Sequence, residues 1–137
     1  MSKTEETLSI ESALIRATSK LGVYGCLEVT IGFHGKERVD YMTYDTKRVF
    51  RCYEIKVTKK DFHSSWANSF VGNYNYFVMP HWLYEEVKHE IPPEVGVYAH
   101  MKCVKHPKKM PLRHSRELLL ESMVRSLHRE RGKEHWK

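Results

Sequence analysis

Apolar and polar residues follow one another along this chain in two rhythms. Near the N-terminus Ile10, Leu14, Ala17 and Leu21 recur at helical spacing. Ser2-Lys3-Thr4-Glu5 has the form of a capping box, and Gly22 supplies the stop, so the pattern predicts a helix between them. From residue 23 the rhythm shortens to that of strands. Residues 23–31, 38–44 and 49–57 read as three strands, joined by a hairpin loop over 32–36 and a turn over 45–47. Asp61 is placed to cap a short helix that carries Phe62, Trp66 and Phe70 at every fourth position. Residues 74–79 form a nearly continuous apolar and aromatic run closed by Pro80, which suits a strand buried on both faces.

Beyond it, residues 81–90 predict a helix that stops before Ile91-Pro92-Pro93, and 95–101 a fifth strand. Residues 102–114 read as a basic loop. A last helix spans about 115–131, with an apolar stripe of Leu120, Met123, Val124 and Leu127 that docks on the domain or forms a dimer seam. Trp66, Tyr74, Tyr76 and Trp82 have the spacing of packing residues. The element order is αβββαβαβα, an α/β chain with a mixed central sheet flanked by helices. The expected layout is one domain over 1–137: a core over about 4–101, the basic loop, and an extra C-terminal helix.

Composition narrows the partners. Of 137 residues, 23 are Lys or Arg and 17 Asp or Glu, a net charge of +6 that fits a nucleic-acid partner without requiring one. No apolar run approaches a membrane span, and no signal-peptide core opens the chain. The three cysteines include no C-x-x-C pair, which speaks against a disulfide framework or a zinc knot and for a reducing cytoplasm. The nine histidines are scattered, and no pair stands at H-x-x-x-H spacing on a convincing helix.

One feature breaks the strand pattern. In the run from Arg48 to Val57, Val49, Arg51, Tyr53, Ile55 and Val57 share one face, while Cys52, Glu54 and Lys56 share the other. A carboxylate and an ammonium about 6.5 Å apart in an apolar strand are costly unless something uses them. Asp40 closes the preceding strand and meets Glu54 if the two strands pair. Two carboxylates beside a lysine suit a hard divalent cation and a phosphate. A strand-to-strand salt bridge, Glu54 with Lys56 or Arg38, is the plainer reading of the same residues.

The spacing D…E-x-K, with the context Glu54-Ile55-Lys56-Val57-Thr58-Lys59-Lys60-Asp61-Phe62, then Trp66, then residues 73–80, resembles the small single-domain bacterial and phage members of the PD-(D/E)XK nuclease superfamily. The resemblance covers roughly residues 5–101; Val39 stands where the nominal motif has proline. It implies a restriction-endonuclease-like αβββαβ core and a Mg²⁺- or Mn²⁺-dependent deoxyribonuclease of the bacterial cytoplasm or a phage-infected host, acting in DNA repair, recombination or phage DNA processing. Asp40 and Glu54 are then the ligating carboxylates, with the Ile55 carbonyl a third oxygen and Lys56 the phosphate- or water-holding charge. Glu11, at the edge of the first helix's apolar stripe, is where the family places a further glutamate; it is equally a solvated helix carboxylate. Glu28 is expected to face solvent or pair with a lysine. Lys59, Lys60 and His63, and farther on Lys105, Lys108 and Lys109, are the candidate DNA contacts. A homodimer or a targeting protein partner fits the lack of an added recognition domain. A catalytically silent DNA- or protein-binding module of the same fold is the alternative.

Overall fold

A computed structural model describes residues 3–32, 35, 37–64 and 69–135. Ser2 and Trp66, two residues used in the sequence expectations, lie outside this set. The first helix, α1, spans Glu5–Thr18. Its cap is Thr4, whose side chain accepts a hydrogen bond from the Thr7 backbone N–H at 3.1 Å. It stops one turn short of Leu21, which is fully exposed. The Thr18 hydroxyl bonds back to the carbonyls of Leu14 and Ile15, and Gly22, at φ +85°, turns the chain into the sheet.

Among the described residues six strands lie side by side in chain order: β1 (Val23–Thr30), β2 (Arg38–Asp45), β3 (Phe50–Ile55), β4 (Tyr74–Met79), β5 (Gly96–Ala99) and β6 (Lys102–Lys105). β1, β2 and β3 form an antiparallel meander. β3, β4 and β5 run parallel, so each step between them needs a crossover. The first crossover contains α2 (Lys59–Phe62) and the second α3 (His81–Val87), which a 3-10 turn over Lys88–Glu90 extends. β6 returns antiparallel to β5, and α4 (Arg116–His135) closes the chain. The observed αβββαβαββα order contains the expected αβββαβ core and mixed sheet, with helices on both faces.

Several details correct the expectation. The segment read as a basic loop contains β6. Its turn, His100–Met101, puts two non-glycine residues at φ +52° and +59°, without the Asn-Gly chemistry that announces such a hairpin. Asp61 does not cap α2; Thr58 does, accepting from the Asp61 N–H at 3.0 Å, and Asp61 sits inside the helix. Phe70 lies beyond that four-residue helix and packs on Phe77. α4 runs four residues past the expected end, and its buried face is Leu119, Ser122, Met123, Ser126 and Gly132. Val124 and Leu127 are exposed, so the expected stripe is rotated. Trp82 is half exposed rather than in the core, whereas Tyr76 is buried.

The sheet has two dressed faces. On one, α1 covers Tyr41, Tyr53, Ile55 and Val78 through Leu14. On the other, α4 covers Cys26, Val29, Met42 and Cys52, and α3 covers Phe77, Met79 and Val97 through Leu83 and Val87. β3 and β4 are therefore sandwiched, which explains their apolar runs. No helix among the described residues is long and apolar enough to cross a membrane.

Candidate active site

The β2–β3 ladder pairs Met42 with Cys52 and Tyr41 with Tyr53. One step further along this antiparallel register sets Asp40 opposite Glu54. Here the strands stop bonding backbone to backbone, and the two carboxylates take over. The Asp40 N–H donates to Glu54 Oε2 at 3.0 Å, and the Ile55 N–H donates to Asp40 Oδ2 at 2.9 Å. Each acid is thus pinned by the strand that carries the other. The expected meeting of Asp40 and Glu54 is what the register produces.

Both acids hold their protons more tightly than usual. Burial raises the Asp40 carboxyl above the ordinary range. Burial, and then the charge of Asp40, push Glu54 up to about 8. Lys56 partly offsets this for both. Its side chain is 4% exposed, and its ammonium donates to the Ser64 hydroxyl at 3.1 Å. Ser69 lies beside Glu54, and its hydroxyl donates to the Arg38 carbonyl at 2.8 Å.

A cavity of about 330 Å³ opens at this end of the sheet. Glu11, Asp40, Ile55, Thr58 and Asp61 line it, with Lys3 and Thr7 on the rim. Glu54 and Lys56 stand behind its wall. Glu11 is buried on the second turn of α1 and lines the same cavity as Asp40. Its partner is Lys3, which also pairs with Glu28 at 3.3 Å. Glu28 meets Arg38 as well, so its expected lysine pairing is present with an arginine added.

Glu28 adopts φ +53° in the middle of β1. A bulky residue there costs about 1–2 kcal/mol, and the kink frees its carbonyl from the ladder. Ser126 and Arg129 of α4 recover that carbonyl at 3.4 and 3.1 Å.

Sequence spacing predicts Asp61 only as a cap. Its carboxylate accepts from the Val57 N–H at 3.0 Å and faces the cavity. The signal was available: Thr58-Lys59-Lys60-Asp61 is itself a capping-box spacing, with the acid at the fourth place. Lys59 and Lys60 are exposed on α2 directly after the site strand, and His63 pairs with Glu90 at 3.0 Å. The far basic residues are not brought to the site. Lys105 spends its three donors on the carbonyls of Pro92 (2.8 Å), Pro93 (3.2 Å) and Val95, which removes it from the expected DNA contacts. The Lys108 N–H bonds Glu94 and the Met110 N–H bonds Asn73, at the entry ends of β5 and β4. Lys108 and Lys109 therefore lie at the end of the sheet opposite Asp40, roughly 17 Å away along a six-residue strand.

The carboxylate pair fits a hard cation. Burial and mutual repulsion disfavour the charged form of two opposed acids, a penalty that a bound cation would relieve. No trio of His, Cys, Asp and Glu among the described residues is close enough to cage a metal alone. Mg²⁺, which keeps several waters and takes only one or two carboxylates, suits such a half-open set.

No family model matches the sequence, and the search of curated proteins finds no match. Among solved structures the chain is similar to the SPO1766 protein of unknown function from Silicibacter pomeroyi, at 19% identity and a TM-score of 0.71. The match covers 94% of this chain and 89% of that one. The shared feature is the fold.

Proposed function

We propose that this chain is a Mg²⁺- or Mn²⁺-dependent DNA nuclease, a member of the PD-(D/E)XK superfamily that hydrolyses phosphodiester bonds. The observation that carries the reading is the facing pair Asp40 and Glu54: Asp40 lines a cavity together with Glu11, and Glu54 and Lys56 stand buried behind its wall. Asp40 and Glu54 hold the ion, with the Ile55 carbonyl as a third oxygen. A bound divalent ion neutralises phosphate charge and acidifies water.

The chain's own groups do the rest. Backbone N–H donors from Asp40 and Ile55 fix the carboxylate orientations, so no reorganisation is needed as charge builds. Lys56 supplies a positive charge to the phosphate from behind the two acids. Glu11, paired with Lys3, lines the cavity alongside Asp40, and Lys59 and Lys60 hold flanking phosphates as point charges. The wall of Ile55, Val57 and Thr58 limits how much water surrounds the reacting group.

The experiment is plasmid nicking with Mg²⁺ or Mn²⁺. The wild type converts supercoiled plasmid to nicked circle; Asp40→Asn and Lys56→Ala lose at least a hundredfold, while Asp40→Asn binds DNA at least as tightly. Equal nicking by all three proteins removes the assignment. One observation favours a second reading, a DNA- or protein-binding module of this fold that does not cut. The Lys56 ammonium rests on Ser64 rather than in the cavity. A wild-type protein that binds DNA and never nicks it would establish that module.

A further inference from the structure

The face that α1 covers is only partly roofed. α1 ends at Thr18, and the other long helices pack elsewhere: α3 on the opposite face of the sheet and α4 against β1. Past the end of α1 the sheet presents tyrosines from three adjacent strands, Tyr53, Tyr76 and Tyr98, beside Arg51. They line a second cavity of about 350 Å³, with Lys20 and Thr43 at its edge. It lies four residues along β3 from the Asp40 site, about 13 Å away.

Its chemistry is that of donors. Tyr53 and Tyr76 are register partners on parallel strands, and their rings stack at 4.9 Å and 9°, so their hydroxyls emerge side by side. Tyr98 closes in at 5.2 Å from Tyr76. Arg51 is aimed rather than free to swing. Asp45 Oδ2 accepts from its Nη1 at 2.9 Å, and its guanidinium carbon lies 5.2 Å from the centroid of the Tyr74 ring. Asp45, the partner of Arg51, is fully engaged, because its other oxygen accepts from the Lys47 and Val49 N–H groups. Lys20, the Asp45-paired Arg51 and three phenols, of which Tyr76 already bonds Arg51 and Tyr53 bonds Thr43, thus line a space to which no Asp or Glu among the described residues contributes. That set suits a ligand made only of acceptors and negative charge.

We propose that the tyrosine-lined cavity flanked by Arg51 and Lys20 is a phosphate-binding site, distinct from the site at Asp40. The source of the phosphate rests on the nuclease reading: a DNA strand lying along α1 places one backbone phosphate at Asp40 and another here, about two nucleotides away. This cavity then sets the path of the strand, and it explains why so many tyrosines stand past the end of α1.

The test uses inorganic phosphate as the probe, titrated by calorimetry at constant ionic strength with chloride as the control. Wild type, Lys20→Ala and Tyr98→Phe are compared; both substitutions sit on exposed or half-exposed positions and leave the core intact. The expected result is phosphate binding that weakens at least threefold in each variant. A DNA arm, with a duplex held in Ca²⁺, assigns the source. Parallel weakening of DNA identifies a backbone phosphate, and unchanged DNA affinity with weakened phosphate binding keeps the site and assigns it to a small phosphorylated compound. Phosphate that binds no better than chloride, or equally well to all three proteins, overturns the proposal. Neither phosphate result depends on nicking, so a failure of the nuclease reading shows only in the cleavage assay.

Discussion

Glu54 holds its proton to about pH 8 because it is buried next to another acid. The sign of the pH effect follows. The folded value lies above the unfolded value of 4.5, so the native chain keeps a proton that the unfolded chain has released. Without metal, stability therefore falls as pH rises from about 4.5 to about 8. Glu54→Gln removes this loss. In EDTA at pH 9 it is expected to melt on the order of 5 °C above wild type, and at pH 5 the two should melt together. Mg²⁺ reverses the order at pH 9, since only the wild type gains a ligand to bind. Melting curves at two pH values, with and without Mg²⁺, decide it; a Gln variant that tracks wild type everywhere means Glu54 is already ionised and paired. Lys105 tests burial in the opposite sense. Lys105→Met strands three carbonyls and is expected to cost about 1–2 kcal/mol in urea unfolding, with DNA affinity unchanged. A loss of DNA binding without loss of stability would return Lys105 to the phosphate contacts.

The elements differ in how plainly the sequence announces them. β3 and β4 are legible because both their faces are covered, which selects near-continuous apolar runs with clear breakers at each end. The site is legible for the same reason, since Glu54 and Lys56 are conspicuous only against that background. β6 is not, because its edge position allows Lys-Cys-Val-Lys, and charge on an edge strand looks like a loop. α4 is legible in extent but not in orientation. Its buried face uses Ser122 and Ser126, whose hydroxyls bond Leu118, Glu28 and the Gly32 N–H, and a hydropathy stripe does not record serine as interior. The unannounced turn is also a place to intervene. His100→Asn with Met101→Gly relieves two left-handed residues and is expected to stabilise by about 1–2 kcal/mol. Thermal melting reads this directly, and a fall in Tm would mean the His100 and His81 rings, 6.2 Å apart, contribute more than the strain costs.

Across the whole molecule, charge is divided between the two ends of the sheet. Lys59 and Lys60 stand beside the carboxylates, and Lys108 and Lys109 stand at the far end. Replacing Lys59 and Lys60 by Ser is expected to weaken DNA binding and to reduce the salt slope by about 1–2. The same change at Lys108 and Lys109 should leave nicking rates untouched. Equal effects of the two double variants would mean that DNA wraps both ends of the sheet.

The return of α4 to β1 has a cost that the finished fold hides. Cys26 meets the Met123 carbonyl 97 positions later, and the Glu28 carbonyl meets Arg129 101 positions later. At translation speeds of about 5–20 residues per second, the inner face of the first hairpin waits roughly 5–20 s for its cover. During that interval Val29, Val39 and Met42 are bare on a nascent hairpin whose β1 edge is also open. The ribosome-bound chain is thus most vulnerable to aggregation just when the strands that carry Asp40 and Glu54 already exist, and synthesis of the last helix is the event that ends the exposure.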